Sequence, residues 1–131
     1  MRTGLSVTPI TSQALRQALR TLRQPGVVMT AVDRPDPQGE MLTFFGKPAR
    51  LPVGLARLAI RTRVPILVEG TWETSPGRYR ADLLTVLEPP AVSDETQATM
   101  DFAQQVLSHL EAFIRQRPEQ WLMFFPVWKD V

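Results

Sequence analysis

The 131 residues carry 15 basic and 13 acidic side chains, for a formal net charge of +2, with no cysteine and one histidine, His109. This excludes a disulfide framework, a thiolate metal site, a cysteine nucleophile and any mechanism that draws two histidines from this chain. No apolar run approaches the roughly 18–20 residues of a membrane span, and the N-terminus lacks the apolar centre of a signal peptide, so one domain is expected, cytoplasmic and either soluble or peripheral to a membrane.

In chain order, residues 1–9 read as a loosely held lead-in. Thr11 or Ser12 can cap a helix over 13–24 that Pro25-Gly26 terminates. Leu15, Ala18, Leu19 and Leu22 share one face of it, and Arg16, Arg20 and Arg23 line another, either as a membrane contact or as a solvated outer face. The apolar, β-branched run 27–32 predicts a buried strand, and 33–40 its outgoing loop, stiffened by Pro35 and Pro37. Residues 41–45 predict a second short strand. Leu51-Pro52 predicts a helix start, and Gly54 within that helix predicts close approach to another backbone. Strands follow over 64–68 and 79–87, joined through the turn signal Ser75-Pro76-Gly77. Ser93, Asp94 and Glu95 open the longest helix, which runs to about Arg115 and stops at Pro118. An apolar, aromatic tail occupies 121–128. The sum is an α/β fold, a mixed sheet with flanking helices.

Little in this pattern spells out chemistry. There is no glycine-rich phosphate loop, and Asp33 with Asp36 would make a poor metal cage, so no metal is expected. The thirteen arginines suit phosphate or carboxylate recognition, but they form no dense polybasic block, which favours genomic codon bias as their source. The loop Asp33-Arg34-Pro35-Asp36 sets two carboxylates around an arginine at a predicted strand end, where α/β layers place their ligands. It reads either as an anion or substrate site or as a polar turn with a weak local ion pair.

Residues 22–68 resemble the second half of the lipid A biosynthesis lauroyl acyltransferases, within the lysophospholipid acyltransferase superfamily. The resemblance rests on Pro25-Gly26, the run into Asp33-Arg34, Phe44-Phe45-Gly46, Leu51-Pro52, Gly54, Leu58-Ala59, Thr62 and Val64-Pro65. It extends to Arg117-Pro118-Glu119-Gln120-Trp121-Leu122 and Trp128-Lys129, and so covers nearly the whole chain. It implies an α/β fold at the inner face of the cell membrane. The implied reaction transfers an acyl chain from an acyl-carrier-protein or coenzyme A thioester to a lipid hydroxyl, with no bound cofactor. The family's catalytic pair is a histidine, four residues, then an acid. His109 is followed five positions on by Ile114, so this chain does not contain that pair.

By position in the resemblance, Asp33, Arg34, Asp36, Phe44, Phe45 and Gly46 are the substrate-binding candidates, and the cleft between the two central strands is expected to receive the acyl chain. The resemblance further implies a partial domain over 1–131 that lacks an N-terminal catalytic half. An excised piece of a larger enzyme and a short homologue covered by self-association both fit. The chain alone is expected to be inactive. The alternative is a non-catalytic lipid-, acyl- or partner-binding module; nucleic acid is not an expected partner.

Overall fold

The structure is a computed structural model that describes residues 11–128 together with Gly4 and Val7; the rest of the lead-in, and Lys129, lie outside the described residues. Helix α1 (Ser12–Leu22) starts where the Thr11 hydroxyl accepts the Ala14 N–H at 3.1 Å. It has no buried residue, packs on the next helix, and keeps Arg16, Arg20 and Arg23 in solvent.

The run 27–32 is not a strand. It is extended chain without a ladder partner among the described residues, with Val27 84% and Met29 76% exposed. Its composition meets the requirement for a strand, but a strand also needs a neighbour to take its N–H and C=O groups.

Strands β1 (Glu40–Phe44) and β2 (Lys47–Leu51) form an antiparallel hairpin, with Phe44 opposite Lys47 and Thr43 opposite Pro48. The sequence reading has no strand between 41–45 and the helix start at Leu51-Pro52, and so misses β2, which carries Pro48 within it. The hairpin register explains why proline is tolerated. A two-residue loop closes on a hydrogen-bonded pair, so the next pair is the non-bonded kind and Pro48 needs no N–H toward its partner.

Helix α2 (Gly54–Thr62) begins later than expected and buries Ala56, Leu58, Ala59 and Ile60. Strands β3 (Ile66–Ser75) and β4 (Arg78–Leu87) make a longer antiparallel hairpin around Pro76-Gly77, where Gly77 has φ +74°. Proline then glycine with positive φ is the chemistry of a type II turn. The α/β class stands, with the described strands arranged as these two antiparallel pairs.

Helix α3 (Glu95–Gln116) is capped by Asp94, which accepts the Thr96 and Gln97 N–H groups. Its buried positions Ala98, Thr99, Phe102, Ala103, Val106, Leu107 and Ile114 recur at helical spacing and pack against α2, β1, β3 and β4. A single turn of 3-10 helix, Pro118–Gln120, follows. Among the described residues no helix is long and apolar enough to cross a membrane.

Side-chain amides cover what the strands leave open. Gln104 of α3 takes both the N–H and the C=O of Thr43 at 2.8 Å, and Gln120 does the same for Glu73 at 2.8 and 3.1 Å. Each glutamine supplies one rung of a missing neighbouring strand.

Close backbone approach occurs at Gly39 and not at Gly54. A Cβ on Gly39 would lie 2.2 Å from the Leu51 carbonyl oxygen, whereas one on Gly54 would meet nothing within 4 Å. Gly39→Ala should therefore cost about 2–3 kcal/mol in urea denaturation, because the obstructing atom is backbone. Gly54→Ala should be neutral or stabilising by up to about 1 kcal/mol.

Candidate functional site

A cleft of about 280 Å³ separates the segment 30–33 from β3. It lies where a cleft between strands was expected, with unpaired extended chain as one wall. Leu55, Ile66, Val68, Val106, Leu110, Phe113 and Ile114 make it largely apolar, and Asp33, Glu69, Thr71, Arg117 and Gln120 add polar groups. β3 and α3 run in the same sense along it. A Cβ on Gly70 would sit 2.5 Å from the Phe113 ring, and Glu73 pairs with Gln120. The end near Ile66 and Val106 is thus apolar, and the end near Trp72, Arg117 and Gln120 is polar. Gly70 is what lets the Phe113 ring come so close to β3.

Asp33, half-buried, lines the cleft, and its Oδ2 accepts the Trp121 indole N–H at 2.9 Å across 88 residues of sequence. Arg34 turns the other way, its guanidinium 4.6 Å over the Phe125 ring. Asp36 builds the loop itself. Its Oδ1 accepts the Gln38 N–H at 2.9 Å, its carbonyl accepts the Gly39 N–H, and its own N–H reaches the Arg50 carbonyl. The structure therefore separates the three charged candidates, and of these only Asp33 lines the cleft.

Phe44, Phe45 and Gly46 form the β1–β2 turn and do not line the cleft. Phe44 is fully buried. Phe45 and Gly46 both have positive φ, 52° and 75°, which is a type I′ turn with a bulky aromatic residue in its first central position. Such a backbone is unfavourable for phenylalanine and persists only where its surroundings impose it. Here the Phe45 N–H donates to Glu111 Oε2 at 2.8 Å, and the Arg115 guanidinium lies 4.8 Å over its ring. Phe44, Phe45, Trp121 and Trp128 also form a four-ring cluster, every pair of centroids 4.6–6.1 Å apart. The Trp128 indole donates to the Phe44 carbonyl at 2.9 Å.

At the polar end, Arg117 lies 3.5 Å over the Trp72 ring. The Trp72 N–H donates to Asp82 Oδ2 at 2.9 Å, and Arg80 donates to the other oxygen at 2.6 Å. Those hydrogen bonds, first from Trp72 and then from Arg80, hold the Asp82 carboxyl below its ordinary range. Sequence reasoning missed Trp72, Arg117, Gln120 and Trp121 as site residues. The string Arg117-Pro118-Glu119-Gln120-Trp121 was visible, but nothing local says that it folds back onto β3 and Asp33. His109 is half-buried on α3 and does not line the cleft. No group of three metal-ligating side chains converges among the described residues.

A family model described as bacterial lipid A biosynthesis acyltransferase matches residues 1–130. Phosphatidylinositol mannoside acyltransferases of Mycobacterium tuberculosis strains CDC 1551 / Oshkosh and ATCC 25618 / H37Rv are each 33% identical over 93 residues. That match covers 69% of this chain and 27% of each relative, so the chain corresponds to about a quarter of their length.

Glu111 gives the turn a pH signature. Burial pushes its carboxyl up, but the hydrogen bond from the Phe45 N–H and the Arg115 guanidinium together hold it below the ordinary range. A depressed folded value contributes stability that is complete above the unfolded pKa and is lost as pH falls through the folded one. Glu111→Gln should be less stable than the parent by about 1 kcal/mol at pH 7, with the gap closing as pH falls below the ordinary carboxylate range. Thermal melts across pH would measure it. A double-mutant cycle of Asp33→Ala with Trp121→Phe should show a coupling of about 1 kcal/mol, the measure of a direct bond across the cleft wall.

Proposed function

This chain belongs to the bacterial lipid A biosynthesis acyltransferase family, and from that premise we propose that it forms the acyl-binding part of an enzyme transferring a fatty acyl chain from an acyl thioester to a lipid hydroxyl. The observation that carries this reading is the cleft between 30–33, β3 and α3, lined mainly by apolar side chains and carrying Arg117 and Gln120 where α3 ends. That is the polarity profile of a chain with a reactive or charged head. At about 280 Å³ it lies near the lower limit of the roughly 300–1,000 Å³ of small-molecule sites. The donor is an acyl-carrier-protein or coenzyme A thioester. The two relatives are named for a phosphatidylinositol mannoside, so a lipid with a hydroxyl-bearing head group is the acceptor class we assign.

Acyl transfer to a hydroxyl needs a group that takes the hydroxyl proton as the bond to the acyl carbon forms. His109, the chain's one histidine, lies outside the cleft and has Ile114 five positions on. Asp33 is engaged by Trp121. We therefore assign this chain binding without turnover by itself, with the base carried outside these residues. Within that reading Asp33 shapes the cleft wall, and Arg34, Asp36 and the Phe44-Phe45-Gly46 turn act indirectly, by holding the 33–39 loop, the hairpin and the tail around it. Leu122, Phe124 and Phe125 are exposed on the tail beside Arg34, and we take this face to rest against the membrane surface. On the outer face of β3 and β4, exposed Leu67, Leu83 and Val86 favour a covering partner, either the remainder of the enzyme or a second copy.

The test is the purified 131-residue chain with radiolabelled acyl thioesters and a panel of lipid acceptors. The expected result is saturable thioester binding, lost in Leu110→Trp, which fills the cleft, and no transfer by the parent chain or by His109→Ala. Turnover that survives repurification and vanishes in His109→Ala would make this a minimal enzyme with its own base. Absence of any binding would overturn the acyl-binding assignment.

A further inference from the structure

The most organised polar group on the cleft has no task in the fold that explains its construction. Arg117 is half-buried, and the central carbon of its guanidinium lies over the Trp72 ring, 3.5 Å from its centroid. The indole beneath it is itself fixed, because its N–H is held by Asp82, and Asp82 is held by Arg80. Asp82 lies close enough for the Arg117 charge to favour its ionised form, but the two make no direct ion pair. Among the described residues no carboxylate oxygen lies within 4.0 Å of the Arg117 guanidinium.

The other acids nearby are committed elsewhere. Asp33 accepts from Trp121, Glu69 from the Thr71 hydroxyl, and Glu73 from the Gly77 N–H. A cation at the end of α3 is favoured by the helix dipole, which explains a positive charge there. It does not explain an immobilised aromatic platform that turns the charge toward a cleft. Stacking on an indole fixes the plane of a guanidinium and leaves its in-plane N–H edge free, the arrangement that grips a tetrahedral anion through two parallel bonds.

We propose that Arg117, held on Trp72, is the phosphate-recognition residue of the cleft, binding the phosphate group of a ligand whose hydrocarbon chain lies along β3 and α3. The inference rests on the acyl-binding reading above and adds the head-group chemistry. Two sources carry that chemistry, the phosphate of a phospholipid and the phosphates of a coenzyme A thioester.

The experiment titrates the full chain with dodecyl phosphate and with 1-dodecanol below their aggregation limits, following the Trp72 indole N–H and the Arg117 Nε–H by NMR. The parent should bind dodecyl phosphate at least tenfold more tightly than dodecanol. Arg117→Gln should erase that preference while dodecanol still binds and the melt stays cooperative, its midpoint lowered only by the lost contact with Trp72, and Arg117→Lys should retain part of the preference, since it keeps the charge and loses the fork. Trp72→Phe should weaken the preference without abolishing it.

A preference for phosphate that survives Arg117→Gln would overturn the assignment and leave the acyl cleft standing. Failure of both amphiphiles to bind would overturn the acyl cleft. In that case a shift of the Arg117 Nε–H by inorganic phosphate would still uphold the anion site, and no shift would end it. The same variants titrated with lauroyl lysophosphatidic acid and dodecanoyl coenzyme A then separate the sources: a loss confined to the first assigns Arg117 to the acceptor, and to the second, the donor.

Discussion

Four aromatic rings around one strained turn tie this chain together. Phe45 occupies a backbone region that a bulky side chain ordinarily avoids, and its neighbours are the reason that it stays there. Phe44 and Phe45 come from the β1–β2 hairpin, and Trp121 and Trp128 from the tail beyond α3. Aromatic pairs of this geometry each contribute about 0.5–1.5 kcal/mol beyond burial. Both indole N–H groups are also satisfied, one by Asp33 and one by the Phe44 carbonyl. The tail therefore serves as a clasp, closing the hairpin, the end of α3 and the wall of the cleft onto one another.

The second organising device is α3, which meets its strands through hydrogen bonds as well as apolar packing. Gln104 completes the outer edge of β1, Gln120 completes β3 at Glu73, and Glu111 takes the N–H of the strained turn. A side-chain amide carries one donor and one acceptor, so it can replace a single rung of a missing strand and no more. Apart from the rung at Glu73, the side of β3 away from β4 has no ladder partner among the described residues, and the segment 30–33 faces β3 across the cleft. Its apolar wall follows from the buried face of α3, and its polar end from the point where α3 stops and the chain turns at Pro118.

The proposed function separates binding from chemistry. Apolar walls and an oriented arginine can hold a chain and its head, whereas proton transfer needs a base within hydrogen-bond reach of the reacting hydroxyl. The cleft holds the first set and the single histidine stands away from it.

The amino-acid sequence by itself determined the helices, the caps, the β3–β4 turn and the family. These depend on local signals: Thr11 and Asp94 ahead of apolar periodicity, Pro76-Gly77 between two strands, and an ordered string of short motifs. It also led to Asp33, the one candidate of six that lines the cleft. Tertiary structure alone decided the fate of the run 27–32, which has the composition of a strand and lacks a partner. It decided as well that Phe44 is core, that Pro48 lies in a strand, and that Arg117 meets Trp72. The physical reason is the same in each case. Composition and spacing report what a segment can do by itself, whereas strand pairing, an aromatic clasp and a stacked cation depend on residues far away in the chain, whose arrival no local pattern records.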